Sequence, residues 1–300
     1  MLKELVKKQL EDKQLEEESA NKLEQALKLS QGLSLTREVE IELPMLMTSA
    51  VCRPIINSEE LRLVTLRVSG EEFSHSLNKV IMEHTVFKSV KFKDLTDFED
   101  NISPSDKMLL MFALLSSTFS KLPEKIITCP HCDHPDNHAP MPSEIFHPDS
   151  IVKVWSNGNI ADYEKPFIIS DDFKIIFGIP SETDRINLLK NKTNQQLKDS
   201  VTENDDVLTP IELITLYIKR VEIGEIILDD IFDISKFMNN LPLDYKSIIL
   251  EDETINELIE YLPKFYLKIH CSNLKCQKDF KWFNINPELD FFRKALSVYQ

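Results

Sequence analysis

A chain of 300 residues with a net charge of −15 and only five glycines excludes several functional classes. Neither Gly-x-Gly-x-x-Gly nor Gly-x-x-x-x-Gly-Lys-Ser/Thr occurs, so no glycine-rich phosphate cradle is expected. The acidic balance opposes sequence-independent nucleic-acid binding, which needs Lys and Arg to neutralise phosphates, and suits a basic protein partner instead.

No apolar run reaches the roughly 20 residues of a membrane-spanning helix. The N-terminus is charged from Lys3 and lacks the apolar core of a signal peptide. Met1 to Gln31 reads as one charged helix: Leu2, Leu5, Val6 and Leu10, then Leu23 and Leu27, form a broken apolar stripe among Glu and Lys. Its heptads are not sustained, which leaves a solvated helix and a partner-binding segment both open. Val39, Ile41 and Leu43 alternate with acidic residues as an edge strand ended by Pro44. Met45 to Cys52 fits either an extended segment or a buried turn. Leu61 to Arg67 reads as a second strand closed by Gly70, and Phe73, Leu77, Val80 and Ile81 follow at helical spacing. Val86 to Leu95 is a short apolar run interleaved with lysines.

Ser103-Pro104 places a capping serine before a proline at the first helical position, starting an apolar, core-forming helix through Phe119. Lys125 to Thr128 reads as a strand. Asp133 to Asp149, rich in proline and histidine, reads as a loop. Further strands are expected at Ile151 to Trp155 and at Phe173 to Phe177. A short helix runs from Ser181 to Lys190, capped by Ser181 or Thr183. Asn191 to Asp206 is polar, a linker or a poorly covered helix. Thr209-Pro210 starts a helix toward Ile218, and Ile223-Gly224-Glu225-Ile226 is a tight turn between short strands. Ile234 to Leu241 and Ser247 to Leu262 are expected helices. Phe265 to His270 and Phe280 to Trp282 are expected strands, and Pro287 opens a last helix with Leu289, Phe291, Phe292 and Leu296.

Two cysteine pairs carry the chemistry. Cys129-Pro-His-Cys132 and Cys271-Ser-Asn-Leu-Lys-Cys276 each follow an expected strand. Each short turn can offer two thiolates, and two such knuckles complete a tetrahedral four-thiolate shell, so one structural zinc per chain is expected at Cys129, Cys132, Cys271 and Cys276. The second pair is spaced more widely than usual. His131, His134, His138 and His270 lie nearby and leave a mixed Cys/His shell open. Cys52 reads as a small core residue, and the cysteine usage fits a reducing compartment. No Gly-x-Ser-x-Gly elbow, His-Glu-x-x-His motif or glycosidase-like carboxylate pair appears, so no catalysis is expected.

The expected fold is α+β: mixed helices and short antiparallel strands around a zinc-ribbon-like four-cysteine clamp. A charged N-terminal helix (1–35) precedes a region ending in the first knuckle (36–140) and another ending in the second knuckle and terminal helix (141–300). The order of elements from Glu60 to Phe292, above all Cys129 to Cys132 and Cys271 to Phe292 with its Phe-Lys-Trp strand and Asp290-Phe291-Phe292, resembles the baseplate hub assembly proteins of T-even-type contractile-tailed bacteriophages. The first helix, the longer second pair and the histidine-rich proline loop depart from that pattern. The resemblance implies a non-enzymatic structural or assembly protein of the tail baseplate hub. Its expected partners are other tail and hub proteins, with no small-molecule substrate, no direct nucleic-acid contact and no membrane span. It would reside in the virion baseplate and, during assembly, in the host cytoplasm. The alternative is a zinc-ribbon transcription or replication accessory factor that binds a polymerase.

Overall fold

Alternation of apolar and polar residues produces the first sheet. Val39–Leu43 (β1) and Thr48–Cys52 (β2) pair antiparallel, with Val39 opposite Cys52 and Leu43 opposite Thr48, and Thr85–Phe87 (β3) pairs on the far side of β2. Ile41, Leu43, Ala50 and Cys52 point to the buried face, as a period of two requires. Met45 to Cys52 therefore resolves into a turn, with Met47 at φ 49°, followed by a strand. Burial pushes the Cys52 thiol up to about 11, and its Sγ lies 3.5 Å from Thr85 Oγ1, so it is an inert core group. The computed structural model describes residues 37–55, 70–156, 160–190, 210–283, 285–287 and 290. The expected N-terminal helix, the Leu61–Arg67 strand, the Asn191–Asp206 segment and most of the last helix lie outside them.

Gly70–Glu83 (α1) is the helix expected from Phe73 onward, and Gly70 opens it. Leu95–Asn101 (α2) was not expected; the Asp94 side chain caps it by accepting from the Asp97 amide. Pro104–Thr118 (α3) begins as its sequence dictates, with the Ser103 side chain accepting from the Asp106 amide. Leu109 through Leu115 are all buried, because a helix apolar on every side must lie inside a core. Its N-terminal turn also holds the β1–β2 turn. The buried carboxylate of Asp106 accepts from the Met45 amide at 3.1 Å and the Leu46 amide at 2.8 Å.

Burial pushes the Asp106 carboxyl up to about 7 from its ordinary 3.8, although the two amides pull the other way. The folded state therefore binds this proton more tightly than the unfolded chain. The stability it contributes is complete below the ordinary value and is lost as pH rises through about 7. The wild type is expected to lose stability relative to Asp106→Asn between pH 5 and pH 8, by at most about 3 kcal/mol. Urea midpoints at the two pH values measure this; parallel pH profiles would remove Asp106 ionisation from the account.

Lys125–Thr128 (β4) and Pro135–His138 (β5) form an antiparallel hairpin, from Lys125 opposite His138 to Thr128 opposite Pro135. The loop expected from Asp133 thus contains a strand. A second sheet has the order β6-β7-β8-β9, all antiparallel: Lys165–Ser170 (β6), Phe173–Phe177 (β7), Ile218–Ile223 (β8) and Ile226–Leu228 (β9). The expected strand at Ile151 to Trp155 joins no ladder. Among the described residues its backbone is tied by Trp155 N–H to Pro44 O at 3.0 Å, and the indole is buried against Tyr163 and Tyr261.

Glu182–Leu189 (α4) is capped by Ser181, one of the two expected candidates, in a reciprocal pair with Asp184. Pro210–Leu216 (α5), Ile231–Asn240 (α6), Leu243–Leu250 (α7) and Glu253–Ile259 (α8) follow. The single helix expected over Ser247 to Leu262 is two, because Asp252 caps a new start by accepting from the Thr254 amide at 2.8 Å. Leu267–His270 (β10) and Asp279–Trp282 (β11) close the described chain as a second hairpin.

Two apolar cores result. One gathers β1, β2 and α3 with Ile127, Phe265 and Leu267; the other gathers Trp155, Ile175, Phe177, Val221, Ile234, Met238 and Leu258. A buried polar network joins α1 to α4. Glu182 takes Lys107 Nζ at 2.5 Å and Arg185 Nη2 at 2.7 Å. Asn78 Nδ2 donates to Glu99 at 2.9 Å, and His75 Nδ1 lies 2.8 Å from Glu99. Burial alone would raise the Glu182 carboxyl; Arg185 and Lys107 outweigh it and hold it at about 2.

Candidate metal centre

The β4–β5 and β10–β11 hairpins meet at their loops. Each strand ladder stops one residue before a cysteine: Thr128 pairs with Pro135, and His270 pairs with Asp279. The four sulfurs of Cys129, Cys132, Cys271 and Cys276 all lie within 4.8 Å of one another. Across the hairpins, Cys129 Sγ is 3.9 Å from Cys276 Sγ and Cys132 Sγ is 3.6 Å from Cys271 Sγ. Sulfurs at the corners of a tetrahedron with metal–sulfur bonds of about 2.3 Å would stand about 3.8 Å apart. The donor set and spacing fit a thiophilic dication. Among the described residues, His131, His134, His138 and His270 lie outside this group of four sulfurs. His138 and His270 instead face Glu144 and Asp279.

The local backbone explains how an uneven pair of spacings makes one site. In the first loop the amides of Cys132 and Asp133 both donate to Cys129 O, and Asp133 takes φ 55°. In the second loop the amides of Cys276 and Gln277 both donate to Asn273 O, and Gln277 takes φ 48°. The turns are the same, but Asn273 occupies the place that Cys129 holds in the first. Cys271 lies two residues earlier, at the strand end, where its amide donates to Lys278 O at 3.1 Å, as the Cys129 amide donates to His134 O at 2.9 Å. The extra residues Ser272 and Asn273 are put to use. Ser272 Oγ donates to Asp136 Oδ1 at 2.7 Å, and Asn273 Nδ2 points at Cys132 Sγ at 3.8 Å. Both contacts cross from one hairpin to the other. Asp and Gln hold the left-handed positions that glycine would fill at least cost, in keeping with a glycine-poor chain.

The far ends of the hairpins are also tied. Lys125 Nζ lies 2.6 Å from Asp290 Oδ1 and 5.4 Å from the centre of the Trp282 ring. Ile127 and Leu267 are buried in the first core. Burial pushes the Cys271 thiol up to about 12, and the neighbouring sulfurs add to this. At Cys129, burial is outweighed by the His131 amide and the neighbouring sulfurs, and the thiol is lowered. Four thiols packed this closely resist ionising together unless a cation compensates them; a bound dication would deprotonate them outright. The sequence pattern located all four cysteines. It missed Asp136, Ser272 and Asn273, whose only signal is their position beside the cysteines.

Taken together, these hairpins, sheets and helices define an α+β protein whose middle and C-terminal parts are joined at a four-cysteine cluster. Residues 36–293 match the family described as T4 bacteriophage base plate protein, and the chain belongs to that family. Neither a search of curated proteins nor a search of solved structures gives a match. Family membership supports a structural role in the phage baseplate, a location in the virion baseplate and contacts with other baseplate proteins, and it favours a non-enzymatic role. No described helix is long and apolar enough to cross a membrane.

Proposed function

We propose that the protein is a non-enzymatic component of the baseplate hub, acting in tail assembly through contacts with other hub and tail proteins. It is made in the host cytoplasm before incorporation. The family match over residues 36–293 carries this reading. Cys129, Cys132, Cys271 and Cys276 would hold one structural zinc per chain in a zinc-ribbon-like clamp, which supplies rigidity rather than an open coordination position. The transcription-factor alternative rests on the cysteines alone, a feature that both readings share.

Tagged protein isolated from cells that produce the particle, with partners identified by mass spectrometry, tests the hub reading. Recovery of hub or tape-measure proteins is the expected result. Recovery of polymerase subunits without tail proteins would overturn it.

A further inference from the structure

We propose that strand β9, the open edge of the four-stranded sheet, receives an extended basic segment of a partner protein as a fifth strand. The two edges of this sheet are built differently. At the β6 edge, Pro166 removes a donor, Lys165 is held by Glu257 at 2.8 Å, and the register shifts between Ile168 and Ser170. Proline, charge and irregular register are the devices that keep an edge from pairing. Strand β9, Ile-Ile-Leu, is short but carries none of these three within the strand. Among the described residues it pairs only with β8.

The hairpin geometry fixes which backbone groups are available. Gly224 and Glu225 form a two-residue loop, with Gly224 at φ 57° as the first turn position requires. In such a hairpin the closing pair, Ile223 and Ile226, is the hydrogen-bonded one. The next pair, Glu222 and Ile227, is not, so the Ile227 N–H and C=O point away from β8 toward the open edge. Successive strand residues face opposite sides, yet Ile226 is 61 % and Ile227 60 % exposed. The edge thus presents free backbone groups and an apolar side chain on each face.

Charge selects the occupant. Glu225 and Asp229 flank β9 and are exposed. Exposed Asp171 and Asp172 lie beside the same turn, since the Gly224 amide donates to Asp172 O at 2.7 Å. Arg220, on β8, is already shared between Glu164 and Glu222. A second copy pairing edge to edge would set these carboxylates against their own counterparts. A strand carrying Lys or Arg would meet them with opposite charge, as cross-strand pairing favours.

The test uses the full chain and a six-residue peptide of alternating Lys and Val, followed by amide exchange at Ile227 and by fluorescence anisotropy. The peptide is expected to slow exchange at Ile227 by about tenfold or more. Ile227→Pro removes the outward donor without touching a β8 bond, and it is expected to weaken peptide binding about tenfold with the far-ultraviolet spectrum unchanged. Glu225→Lys with Asp229→Lys is expected to weaken it similarly. An alternating Glu and Val peptide should leave exchange unchanged. Three results would overturn the proposal: equal binding by a Lys peptide with proline at every second position, undiminished binding by the Ile227→Pro and the double Lys variants, or an Ile227 amide already protected in the chain alone. The readout does not depend on the hub assignment, which would stand if this edge proved closed.

Discussion

Replacing Cys271 with serine is expected to release the metal and to lower unfolding stability by at least about 3 kcal/mol, with Cys129→Ser behaving alike. The binding energy of a structural zinc is folding energy, on the order of 10 kcal/mol in small zinc domains, because the unfolded chain has no preformed site. Here the metal would close a very long loop, since Cys132 and Cys271 are 139 residues apart. It would also reinforce the Ser272–Asp136 and Asn273–Cys132 hydrogen bonds that link the two hairpins. Cys52→Ser is the control. That thiol lies in β2 away from the cluster, so its replacement should leave metal content unchanged and cost on the order of 1 kcal/mol for burying a hydroxyl. Metal analysis and urea unfolding of the three variants separate the cases. Equal stability for wild type, Cys129→Ser and Cys271→Ser would sink the clamp.

Glu182→Ala is expected to cost about 3–5 kcal/mol, because it removes the buried carboxylate that Lys107 and Arg185 share. The side chains of Lys107 and Glu182 are 3 % and 0 % exposed, so the pair is shielded from solvent. Removing the ammonium as well, in Glu182→Leu with Lys107→Met, should cost less than the single change, since Arg185, 13 % exposed, is then the one member of the trio that loses the carboxylate. The pH dependence has the opposite sign to that of Asp106. The Glu182 carboxyl is held at about 2, below its ordinary 4.5, so its contribution is complete above 4.5 and is lost as pH falls through about 2. Thermal unfolding between pH 7 and pH 3 should therefore show a shallower acid decline in the double variant. A single variant as stable as the wild type would mean that the network contributes nothing.

The features legible in the sequence are those fixed by near neighbours. Ser103-Pro104 and Ser181 announce helix starts because a cap needs only residues three positions away. The four clustered cysteines are legible because they come in two short pairs, although the pattern alone does not establish that the pairs meet. The features missed are those decided at long range. Strand β5 begins with Pro135 and carries polar residues, so nothing in its composition favours a ladder; the first cysteine loop folds it back onto β4. Strand β6 carries Pro166 and is tolerated only because it is an edge. The Lys107–Glu182 pair joins residues 75 positions apart and leaves no local trace. Conversely, Val152 and Val154 look like a strand but are exposed, and the segment is anchored by the burial of Trp155 rather than by a ladder.

The most direct measurement is the metal content of the full chain purified without chelators, by inductively coupled plasma mass spectrometry with protein quantified by amino-acid analysis. The four sulfurs within 4.8 Å of one another lead to an expected value of about one zinc per folded chain, falling to none in Cys271→Ser. A fully folded wild-type chain with all four thiols reduced and no bound metal would contradict the account.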